Sequence, residues 1–178
     1  MKTNTFIKLI SILTLLFTTL SFVTYNKKKS LQQEIKYKNY LNQKFGFSVD
    51  YPYEILTPEG ESDSGDGQVF RSKKTPNNTL TVCRDYLELM DPDTKYTLEV
   101  SYKKHVNAFS KKGNGRNITY KKFDKKFFVI SGHKDNGYIY YQKTIIIDDN
   151  LCSCLLEYRV ADKDIFNKIS ERVFKSFK

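Results

Sequence analysis

Four carboxylates separated by only one or two residues stand in "EGESDSGDGQVF", residues 59–70 of a 178-residue chain. Ca²⁺ takes hard oxygen ligands, and carboxylates at alternate positions of a Gly-rich loop can converge on it. Glu59, Glu61, Asp63 and Asp66 are therefore candidate Ca²⁺ ligands. A regular EF-hand is excluded: with Gly67 at position six, Ser62 would be the first ligand and Lys73 the last. The competing reading is a turn, because Gly and Asp are turn residues and Asp66-Gly67 would lead into a strand at Gln68-Val69-Phe70.

Three cysteines offer a second chemistry: Cys83, Cys152 and Cys154. In a strand, residues 152 and 154 share a face about 6.6 Å apart, which is long for a disulfide. Cys83 falls on a different expected strand. In an oxidising compartment the sensible bridge joins Cys83 with Cys152 or Cys154. The alternative is three buried thiols packed as small hydrophobes. A redox enzyme is disfavoured without C-x-x-C, and C-x-C is poor spacing for closed zinc. The two histidines, His105 and His133, are expected on a helix and at a strand end, as structural or surface residues. There is no G-x-S-x-G, P-loop or Rossmann glycine pattern, so no catalytic residue is assigned and the chain reads as non-enzymatic. Phe127, Phe128, Tyr138, Tyr140 and Tyr141 either line a ligand groove or pair across strands of the core.

The elements that must position these residues can be read from periodicity. Phe45, Phe47, Val49 and Tyr51 alternate with small or polar residues, which argues a strand ended by Pro52. Residues 68–72 and 80–86 read as further strands. Asp91-Pro92-Asp93-Thr94 signals a helix start, and Leu98, Tyr102, His105, Val106 and Phe109 form one helical stripe. Four strand-like runs follow at 117–123, 126–134, 137–147 and 151–160, joined by the turns Asp135-Asn136-Gly137 and Asp148-Asp149-Asn150. Asp162 can cap a last helix whose apolar side carries Ile165, Phe166, Ile169, Val173 and Phe177. The order implies an α+β fold, an antiparallel β-sheet sandwiched by helices.

The bulk numbers set the surroundings. Hydrophobic residues make up 39% and aromatics 15%, enough for one core. The net charge of +10 is uneven: the first 29 residues hold five lysines and no acid. Only five of the 30 basic residues are Arg, the side chain that nucleic-acid sites favour, so nucleic acid is not an expected partner. Residues 1–29 combine a basic start with an apolar run from Leu9 to Val23, the layout of a signal peptide; residues 6–25 would also just span a bilayer as an anchor. Residues 30–39 read as a linker and 40–178 as the domain. The chain is expected to be exported, then released or held at the cell envelope by its first segment.

Residues 40–52 (YLNQKFGFSVDYP), 66–72 (DGQVFRS), 127–132 (FFVISG), 138–144 (YIYYQKT) and 173–177 (VFKSF), in this order and spacing, resemble the PsbP-like fold family. That family includes an extrinsic subunit of photosystem II, a Ran-binding eukaryotic protein and many exported bacterial proteins. The resemblance implies an antiparallel sheet between helices and no single activity. The expected function is a non-enzymatic exported module that binds a protein partner or supports an envelope assembly. The alternative is a small-ligand or Ca²⁺ carrier using the loop at 59–67 or a sheet–helix groove, with no other cofactor.

Overall fold

The computed structural model describes residues 34–85 and 97–178. Lys36–Lys178 is one compact unit. The expected leader and anchor, and the helix start at 91–94, lie outside the described residues. Among the described residues no helix is long and apolar enough to cross a membrane.

The unit begins with a two-stranded antiparallel ribbon, β1 (Lys38–Leu41) and β2 (Ser48–Tyr51). β1 starts inside the segment read as a linker. Asn42 closes the ribbon: its side-chain oxygen accepts from the Phe45 backbone N–H, and its own N–H donates to the Phe47 carbonyl. Gly46 takes φ 73°, a left-handed value open to glycine.

Seven antiparallel strands form the main sheet: β3 (Leu56–Glu61), β4 (Gly67–Ser72), β5 (Thr79–Arg84), β6 (Arg116–Phe123), β7 (Phe127–Lys134), β8 (Tyr138–Ile147) and β9 (Asn150–Arg159). Their spatial order is β3-β4-β5-β9-β8-β7-β6. Two meanders, β3–β5 and β6–β9, thus meet where β5 pairs with β9. The expected turn at Asp148-Asp149 closes β8 onto β9 with both residues at positive φ, 45° and 64°, the geometry of a tight hairpin.

Period-two alternation sends side chains to two faces. On one face, helix α1 (Leu98–Ser110) covers Phe128, Ile130, Tyr140 and Leu151. Its N-cap is Thr97, whose hydroxyl accepts from the Val100 N–H at 3.2 Å. On the other face lies helix α2 (Lys163–Ser176), entered through a short 3-10 turn at Val160–Asp162. Phe166 stacks on Tyr158 and Phe177 meets Phe47 edge-on, so α2 joins the sheet to the ribbon. Ile169 and Val173 are fully buried there, each contributing about 1.5–3 kcal/mol over exposure. The fold is thus an α+β antiparallel sheet with a helix on each face.

Two expectations change in detail, and one of two open readings falls away. Leu56–Glu61 is a strand, so Glu59 and Glu61 lie on the edge strand and not in a loop. Pro58 is tolerated because β3 pairs on one side only. Asp162 is the N-cap residue of α2 but makes no cap bond; its carboxylate takes Asn78 and Arg159 instead. The aromatics of the meander form no common groove: Phe128 and Tyr140 are sealed under α1, and Tyr141 packs on Phe174 of α2.

Candidate functional site

An open cleft of about 420 Å³ lies at the β3–β5 end of the sheet. Its walls are Glu59 and Gly60 of β3, Gln68 and Val69 of β4, and Thr81 and Cys83 of β5; Ser62, Ser64 and Asp66 form the rim. Gly67 lets β4 approach β5 closely, since a Cβ there would sit 2.2 Å from the Val82 carbonyl oxygen. The cleft is therefore a notch between closely spaced strand backbones carrying a mixed polar rim.

The four acids beside it do not converge. Glu59 forms a two-pronged pair with Arg71, whose charge and hydrogen bonds hold the Glu59 carboxyl below its usual range. Glu61 accepts from the Tyr40 hydroxyl and from Asn42. Asp66 is held low by a hydrogen bond from Ser64 and by Lys44 at 3.3 Å. Asp63 is exposed at the loop tip. Among the described residues no three His, Cys, Asp or Glu side chains gather as metal ligands. Of the four acids read as Ca²⁺ ligands, Glu59, Glu61 and Asp66 are thus each engaged by a cation or hydroxyl partner of their own.

The three cysteines read as possible disulfide partners stand apart. All three cysteines are free thiols. Cys83 pairs in register with Ser153, and Cys154 pairs with Val82. Directly opposed residues share a face, so Cys83 points to the α1 side while Cys152 and Cys154 point to the α2 side. A bridge would have to pass through the sheet. Burial, then the charges of Asp85 and Asp66, push the Cys83 thiol up to about 11.

A polar cluster that sequence reasoning missed lies beneath α1. The buried Asp85 carboxylate accepts from the Ser101 and Ser153 hydroxyls, both at 3.2 Å. Ser153 and Thr144 share a hydrogen bond of 2.7 Å, and Gln142 donates to Thr144. His105 places Nδ1 3.3 Å from Ser101 Oγ and Nε2 3.8 Å from Asp85. The residue types match a nucleophilic triad; the wiring does not. Ser101 donates to the carboxylate and is fully buried. The polar positions 142 and 144 inside an apolar strand run, and Ser153 inside LCSCLL, were the available signal. His133 is exposed on β7, away from this cluster.

No family model matches the chain, and no curated protein matches it in sequence. Among solved structures, it is similar to the solution structure of cyanobacterial PsbP (CyanoP) from Synechocystis sp. PCC 6803, with a TM-score of 0.53 and 17% identity, covering 83% of this chain and 95% of that one. The fold is PsbP-like. At that identity the likeness carries architecture and not activity.

The PsbP-like sheet also separates charge. Leu98–Lys126, which spans α1, β6 and the β6–β7 tip, holds nine basic residues and two acids. Arg116 is stacked over Phe109 and Tyr140 and pairs with Glu157, whereas the eight lysines are all exposed.

Proposed function

We propose that this chain is an exported, non-enzymatic PsbP-like module that holds a protein partner in the cell envelope. The observation that carries the reading is the open cleft on the β3–β5 edge. Its strand walls and its rim of Ser62, Ser64, Asp66 and Gln68 suit a segment of another protein. The Ser–His–Asp set supports the same reading, because its groups are spent on internal hydrogen bonds.

A photo-crosslinking residue at Val69 or Thr81 of the full chain, expressed in its host, tests this. The expected result is one protein adduct from both cleft positions and none from His133 on the opposite side of the sheet. The same adducts from all three positions would sink the reading. A second reading, a small ligand in the cleft, is favoured by its volume, which falls within the range of small-molecule pockets. Native mass spectrometry of the purified chain, showing a bound small molecule that blocks the crosslink, would select it. Export is checked by intact mass after fractionation: loss of about 20–25 residues marks a released protein, and full-length mass in the membrane fraction marks an anchored one.

A further inference from the structure

The β6–β7 tip combines two features that solubility alone does not call for together. Tyr120 and Phe123 are 51% and 42% exposed on the edge strand β6. Lys121, Lys122, Lys125 and Lys126 surround them, all exposed. Lys121, Lys125 and Lys126 make no ion pair among the described residues, and Lys122 lies 5.4 Å over the Phe127 ring. The one acid of the tip, Asp124, closes the turn by accepting from the Lys126 N–H.

Lysines on an edge strand keep it from pairing with another chain. That role needs no exposed rings beside them. Ring plus lysine is the chemistry of a lipid headgroup region: the ring settles at the apolar boundary while the ammonium groups reach phosphate. The tip holds four lysines and no Arg. Point charges on flexible stems suit a diffuse anionic surface better than a fixed carboxylate partner. The acidic β3–β4 side lies six strand spacings away, about 29 Å. Asp148 and Asp149, on the β8–β9 turn at the same end, stand two spacings from β6 and limit the contact to the tip.

We infer that the β6–β7 tip is a peripheral binding element for anionic lipid surfaces, with Phe123 at headgroup depth, Tyr120 farther up β6 on the other face, and the four lysines on lipid phosphates. It stands independently of the protein-binding cleft and of the first 29 residues.

The chain contains no Trp, so Phe123→Trp supplies a single reporter in the full-length protein. On vesicles of phosphatidylcholine with phosphatidylglycerol, its emission shifts to the blue and is quenched by brominated acyl chains. On pure phosphatidylcholine it is unchanged, and about 0.5 M salt reverses the shift. Each lysine of the four replaced by Gln weakens the shift's lipid dependence about fivefold. The readout is the position of the ring, so an apolar N-terminal segment that holds the chain on vesicles does not imitate it. Val160→Trp, exposed at the opposite end of the sheet, stays unshifted. Tyr120→Trp, on the other face and farther up β6, gives a smaller shift with the same lipid and salt dependence should the Phe123 change loosen its contact with Tyr102, 5.2 Å away. No shift at either tip position, an equal shift on pure phosphatidylcholine or at Val160, or a shift caused by polyglutamate and not by vesicles overturns the inference. The last outcome would assign the tip to an acidic protein.

Discussion

Gly67 leaves no space for a side chain, since an added Cβ would meet the Val82 carbonyl oxygen and the Cys83 backbone. Gly67→Ala must push β4 off β5, at a cost of about 1–3 kcal/mol. A urea titration checks this as a lower midpoint with an unchanged slope. Next to it, Cys83 gives the protein an alkaline sensitivity. Its thiol rises from 9.0 to about 11, chiefly because burial penalises the thiolate. The folded state therefore keeps the proton that the unfolded chain releases. Stability from this group is complete below about pH 9 and is lost as pH rises towards 11. Cys154 shifts in the same direction by burial. Urea midpoints near neutral pH and at about pH 10 should fall less in Cys83→Ala than in the parent chain. An equal fall in both would contradict it. Asp85 shows what residue-level sequence reading misses. Its hydroxyl partners come from α1 and β9, 16 and 68 positions away, and nothing local to "VCRDY" announces them.

α2 ends on a cap supplied by another element. Lys143 of β8 donates from Nζ to the carbonyls of Phe174 and Phe177, at 2.8 and 2.9 Å. These are among the carbonyls that a helix end leaves without an internal partner. Lys143→Met keeps the apolar stem and loses the cap, at about 1.5–3 kcal/mol for hydrogen bonds to a charged group. Thermal melts followed by circular dichroism should show a lower midpoint with unchanged helix content at low temperature. The elements themselves were largely legible. Phe166, Ile169, Val173 and Phe177 repeat at helical spacing, and Asp148-Asp149 tolerates the positive φ of a tight turn. β3 was hidden because Pro58, Glu59 and Gly60 are all poor strand formers; pairing with β4 and the Glu59–Arg71 contact override that propensity. The acidic cluster is spread by the same pairing. Carboxylates at alternate positions look like ligands in a loop, but on a strand they are drawn to neighbours on both sides.

At the scale of the whole sheet, the three thiols are kept apart. Cys83 stands on one face, Cys152 and Cys154 on the other. Melting temperatures with and without reductant should therefore coincide, and unfolding without reductant should expose three reactive thiols. A single reactive thiol would show that a bridge forms after all. The strand order was not legible, since pairing β5 with β9 joins Thr79 to Glu157 across the intervening helix and hairpins. That pairing also bears on how the protein is made. Synthesis delivers β3–β5 first, then β6–β8, two half-sheets that each present an unpaired strand until β9 arrives. β9 is the keystone, and it is made after every other strand of the sheet. A nascent chain paused before Asn150 would carry two sticky edges at once, so chaperone binding during synthesis should be strongest just before β9 emerges and vanish once it closes the sheet.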